Sequence, residues 1–177
     1  MAAIDQAVVQ GYMDASAAAQ TTTGQGRALE DLICYLFALV PGIAITRRNV
    51  MNVFHTEEID VALWNDPSPE GFNFLPNIIL VECKNWSNSV GSGEVNWFDS
   101  KLRNRGLDIG ILVSTRGITG DPNDLTAAHA VVAAALRERR RLVVITVEEI
   151  VALGDTSELA HLLKEKLCDL AVRGAIG

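Results

Sequence analysis

Cysteine is scarce in this chain: three among 177 residues, Cys34, Cys83 and Cys168, far apart and without any C-x-x-C spacing. An odd, scattered set excludes a disulfide framework and a cysteine-based zinc site, and each thiol is expected as a small buried or half-buried hydrophobe. Also missing is a run of roughly 18 uninterrupted apolar residues, the length a membrane span needs, so no membrane partner is expected. The N-terminus carries Asp5 and no basic stretch ahead of an apolar one, unlike a signal peptide, and the expected location is cytoplasmic. There is no internal repeat. Positive charge is in deficit, with 15 Lys and Arg against 22 Asp and Glu and a formal net charge of -7. That balance argues against broad, nonspecific binding of nucleic acid, which needs clustered Lys and Arg to neutralise phosphates. Local clusters temper the objection: Arg47-Arg48, Lys101 with Arg103 and Arg105, and Arg137 with Arg139-Arg140-Arg141. Each is either a phosphate contact or a solvated helix end or strand rim.

What the chain does have is 49% hydrophobic residues, enough at this length for one well-formed core. The patterning predicts an N-terminal helix within 2–20, then a helix from about 24 to 40, started by a Thr22-x-x-Gln25 capping box and striped by Leu29, Leu32, Ile33, Leu36, Phe37 and Val40. Glu30 falls at the edge of that stripe. Two β-rich runs, 43–53 and 57–64, read as an antiparallel hairpin, and the turn formers of 65–71 as a surface loop. A third strand spans 77–84. A helix capped by Ser92 follows, with Val95, Phe98 and Leu102 on one side. A strand at 108–114, a helix at 123–140, a strand at 142–146 and helices at 147–153 and 157–172 complete the order. A helix between the third and fourth strands makes that pair a right-handed parallel crossover, so the expected fold is α/β: a central mixed sheet, α-β-β-β-α-β at its core, flanked by helices.

The chemistry concentrates in Ile78-Ile79-Leu80-Val81-Glu82-Cys83-Lys84, an apolar run that ends in a carboxylate and an ammonium two residues apart. Alternate side chains of a strand share a face, so Glu82 and Lys84 point the same way at the strand's exit. The preceding strand carries Asp60 between apolar neighbours, which favours it over Glu57 and Glu58 as that strand's functional acid. Two carboxylates on neighbouring strands, with the backbone carbonyl of Cys83 between them, are the hard oxygen donors that Mg²⁺ takes. Lys84 is placed to orient or help deprotonate a water and to stabilise developing charge. These are the parts phosphodiester hydrolysis requires.

This arrangement resembles the PD-(D/E)XK nuclease superfamily, which has the restriction endonuclease-like fold: Asp60 for its first acid, Glu82-Cys83-Lys84 for (D/E)-x-K, and Glu30 for the acid many members carry on the preceding helix. It looks most like the Mrr-type branch. The likeness covers 26–115 and extends toward 146; Ile59 stands where some members have Pro. Length and patterning lead us to expect one domain over 1–177, with an N-terminal helix in 1–22, a nuclease core at 24–146 where the likeness lies, and C-terminal helices in 147–177. The resemblance implies cleavage of DNA with Mg²⁺ or Mn²⁺, with catalytic residues Glu30, Asp60, Glu82 and Lys84. The metal would sit on Asp60, Glu82 and the Cys83 carbonyl, with Glu30 acting through water. Asn85, Trp86 and Arg116 are expected near the substrate strand, the indole by stacking. His55, His129 and His161 are read as ordinary turn and helix residues. A homodimer, for which Leu159, Leu162, Leu163 and Leu167 provide an apolar face that equally suits packing on the sheet, and a separate DNA-recognition or regulatory protein are the expected partners. The rival expectation is an inactive module of the same fold that works through a protein partner.

Overall fold

The computed structural model describes residues 2–123 and 126–175. Eleven elements follow one another: α1 (Gln6–Ala18), α2 (Thr22–Ala38), β1 (Ile43–Met51), β2 (Glu58–Asn65), β3 (Ile78–Lys84), α3 (Ser92–Arg103), β4 (Ile109–Ser114), α4 (Ala127–Arg137), β5 (Arg141–Thr146), α5 (Val147–Val151) and α6 (Thr156–Arg173). The strands lie in the order β1-β2-β3-β4-β5, the first three antiparallel and β3-β4 and β4-β5 parallel. The expected mixed sheet and its α-β-β-β-α-β core are therefore present.

Strand alternation divides the apolar residues between two cores. Val61, Leu63, Ile79, Val81 and Cys83 meet Leu29, Leu32, Ile33 and Phe37 of α2 on one face, joined by α6 through Leu159 and Leu163. Leu80, Leu112 and Val144 meet Val95, Phe98 and Leu102 of α3 and Val132 of α4 on the other. The stripe of α6 that could have served a dimer is spent on the sheet: Leu159 and Leu163 are buried, and Leu162 and Leu167 pack against the same core.

Local signals shift several boundaries. α2 is capped by Thr21, whose hydroxyl accepts from the Gly24 N–H at 3.1 Å, one residue earlier than the Thr22 box. α3 has Gly91 at its N-cap with no side-chain cap, and Ser92 is already helical. The helix expected at 123–140 occupies Ala127–Arg137, and Asp124 and Leu125 lie outside the described residues. The 65–71 loop leads straight into an anchor, because Phe72 is fully buried and stacks edge-on against Phe37 with ring centroids 5.8 Å apart. Cys168 is exposed rather than half-buried. No described helix is long and apolar enough to cross a membrane.

Gly110 sets how closely α3 packs on the sheet. A Cβ there would stand 2.6 Å from Phe98 Cζ and 2.8 Å from Leu102 Cδ1, so only glycine lets α3 sit this close to β4.

Candidate active site

The site forms where β2 and β3 separate. Their ladder ends at Val61↔Val81, and one residue further on the Asp60 carboxylate takes the place of a strand partner, its Oδ2 accepting from the Cys83 N–H at 2.8 Å. β2 also twists here: Ile59 and Val61, which would share a face of a regular strand, lie in different cores. Opposite, on β1, Asn49 adopts the left-handed conformation with φ 50°, which asparagine tolerates better than most residues. Its amide donates to Glu30 Oε2 at 2.8 Å, fixing the helix acid across the gap. Glu30 and Asp60 line one cavity of about 180 Å³, together with Thr23, Gly26, Arg27, Asn49 and Glu58.

Glu82 and Lys84 share a face as the period of a strand requires, with Lys84 Nζ 2.8 Å from Glu82 Oε1. The second oxygen of Glu82 is not free either. Lys101 of α3 reaches it at 2.6 Å, and both side chains of that pair are only 4% exposed. Burial pushes the Asp60 carboxyl up to about 6, and the negative charge of Glu82 adds to the effect, outweighing the Cys83 N–H and the two lysines. For Lys84, burial works against the charge, but Glu82 outweighs it by charge and hydrogen bond, and the ammonium is held above its usual range. Lys84 also lies 5.7 Å from the ring centroid of the half-exposed Trp86.

The remaining predicted positions fall into two groups. Arg116 is exposed on the turn after β4, and its backbone carbonyl accepts from Ser89 Oγ. Asn85 is spent inside the fold: its amide donates to Ser16 Oγ and the Gln25 carbonyl, and its Oδ1 accepts from Thr115 Oγ1. It ties α1, α2 and β4 together behind the site. Glu57 pairs with Arg105 at 2.6 Å beside a separate groove of about 650 Å³ at the hairpin tip, while Glu58 stays exposed at the mouth of the smaller cavity. Each basic cluster gives up part of its charge to pairing, Arg48 with Asp31, Arg105 with Glu57, and Arg140 with Asp99 and Glu138, while Arg47, Arg103, Arg137 and Arg139 are exposed.

Three residues carry no clear signal in the sequence. Lys101 looks like part of a solvated basic cluster, although its position three after Phe98 places it on the apolar side of α3. Arg27 stands one helical turn before Glu30, at the cavity wall. Asn49 gives no periodic signal, because its role depends on a backbone twist.

Among the described residues no three His, Cys, Asp or Glu side chains converge closely enough to hold a metal ion by themselves. The donors present nevertheless suit a hard divalent cation. Mg²⁺ commonly takes one or two carboxylates and fills its shell with water and phosphate oxygens, and Asp60 lies near enough to Glu82 for that charge to help raise its carboxyl.

The sequence matches the Mrr_cat restriction endonuclease family over residues 25–154. A comparison with curated proteins gave no match. Among solved structures the chain is similar to the DNA modification-dependent restriction endonuclease AspBHI, at 16% identity and a TM-score of 0.48, covering 92% of this chain and 40% of that one. The chain thus spans well under half the length of that protein. The family match runs from the helix that carries Glu30 to beyond the last strand of the sheet, and the chain belongs to the Mrr-type restriction endonucleases.

Proposed function

We propose that this chain is a divalent-metal-dependent endonuclease that hydrolyses DNA phosphodiester bonds in restriction or DNA maintenance. The observation that carries the reading is Asp60 hydrogen-bonded to the backbone of the Glu82-Cys83-Lys84 segment where β2 and β3 part, with Lys84 on the carboxylate of Glu82. Asp60 and Glu82 offer carboxylate oxygens to Mg²⁺ or Mn²⁺, the Cys83 carbonyl offers a third, and Glu30, held by Asn49, contributes through water. When bound, the cation supplies Lewis acidity, making water a stronger acid and taking up charge on the attacked phosphoryl group.

The protein's own groups do the rest. Lys84 is protonated beside Glu82, so it orients the attacking water by donating to it and places positive charge against the phosphorane-like transition state. Trp86 offers a stacking face next to Lys84, and Arg116 and Arg27 are exposed guanidinium groups for the flanking phosphates. Asn85 shapes the site from behind.

Calorimetric titration with Mn²⁺ tests this reading. The unaltered chain is expected to bind the ion, and Asp60→Asn to lose that binding. The rival reading, an inactive module acting through a protein partner, draws on the two lysines that neutralise Glu82 and on the net charge of -7. It predicts no site that depends on Asp60 and Glu82.

A further inference from the structure

We infer that Lys101 is a positioning residue for this reaction: it anchors Oε2 of Glu82, so that the carboxylate keeps its orientation and Oε1 opens to the metal when Lys84 turns from it toward the substrate. The inference rests on the proposed nuclease reading of Asp60 and Glu82 and adds to it a residue on a different element.

The geometry has three parts. Lys101 Nζ donates to Glu82 Oε2 at 2.6 Å while Lys84 Nζ meets Oε1 at 2.8 Å, so the two lysines divide one carboxylate. They differ in access: the Lys101 side chain is 4% exposed and that of Lys84 is 23% exposed. Lys101 is therefore held on Glu82 and closed to substrate, whereas Lys84 can turn from it toward a phosphate or water. Finally, the approach of α3 that delivers Lys101 depends on Gly110, with Phe98 and Leu102 on either side of Lys101 in the sequence packed over the bare Cα. A buried ion pair such as Lys101 with Glu82 adds little net stability over apolar packing, so its place here fits a role in holding the carboxylate charged and in one orientation. Partners that orient a metal ligand typically change metal affinity by about 10–100-fold when removed.

The alternative is that Lys101 is an opposing charge which only offsets Glu82 in the fold. The two ideas predict opposite signs. If Lys101 orients Glu82, Lys101→Met weakens Mn²⁺ binding by about tenfold or more, and it lowers kcat for plasmid cleavage with little change in KM for DNA. An opposing charge, once removed, leaves Mn²⁺ affinity unchanged or tightens it, and that result overturns the inference. If the Met variant does not fold by circular dichroism, Lys101→Leu, which likewise removes the hydrogen-bond donor from Glu82 Oε2, is titrated instead under the same two outcomes. Asp60→Asn runs alongside. Binding lost in Asp60→Asn but intact in a folded Lys101 variant defeats the role of Lys101 alone, whereas no binding by the unaltered chain defeats the metal site and the inference together.

Discussion

A half-buried acid whose folded pKa is raised destabilises the protein wherever it is charged, and Asp60 is such a group. Its carboxyl rises from an ordinary 3.8 to about 6, so the folded state binds its proton more tightly than the unfolded state does. The sign follows: this contribution to stability is fullest below about 4 and is lost as pH rises through about 6. At neutral pH the shift of roughly two units corresponds to about 3 kcal/mol, and to about 1–2 kcal/mol once solvent screening is allowed for. Asp60→Asn is therefore expected to raise the denaturation midpoint at pH 7 and to gain less at pH 4.5, while abolishing cleavage; urea melts at the two pH values check it. Lys84→Met should behave differently. Glu82 keeps Lys101, so stability changes by less than about 1 kcal/mol, while single-turnover cleavage falls by about 10²-fold or more. Asp60, Glu82 and Lys84 were legible in the sequence because a strand's period of two fixes which side chains share a face, and a charge inside an apolar run stands out. Lys101 was not, because a lysine on a helix reads as solvated until the packing of that helix is known.

At the scale of elements, the apolar stripes of the helices and the short apolar and β-rich runs of the strands were enough to place every strand and helix of the core within a few residues. Their ends were less legible. Thr21 caps α2 where Thr22 was the expected cap, since three consecutive threonines offer near-equal caps and only the backbone turn at Thr21 selects one. The twist of β2 at Asp60 has no period of its own. It lies opposite Asn49, which enters the left-handed region on the partner strand, a long-range match between two chain segments. The packing of α3 yields a further prediction. Gly110→Ala inserts a methyl 2.6 Å from the tip of Phe98 and 2.8 Å from that of Leu102, so these core side chains, and α3 with them where they cannot turn aside, must give way. The expected cost is about 1–3 kcal/mol, with a loss of activity beyond what the remaining folded fraction explains because Lys101 is carried away from Glu82. Denaturant melts and cleavage assays on the same preparation separate the two effects.

The molecule as a whole carries a net charge of -7, and Arg48, Arg105 and Arg140 are committed to pairs with acids. DNA binding should accordingly involve few phosphate contacts and a shallow dependence on salt. Arg116→Ala should reduce the slope of log K against log salt by about one, measured by fluorescence anisotropy on a short duplex. The central claim is that Asp60, Glu82 and Lys84 form one metal-dependent hydrolytic site, and its most direct test is cleavage of supercoiled plasmid under single-turnover conditions. The account predicts nicking or linearisation by the unaltered protein in Mg²⁺ or Mn²⁺, none in EDTA, and at least about a hundredfold loss in both Asp60→Asn and Lys84→Met. Equal cleavage by all three proteins, or cleavage that persists in EDTA, would contradict it.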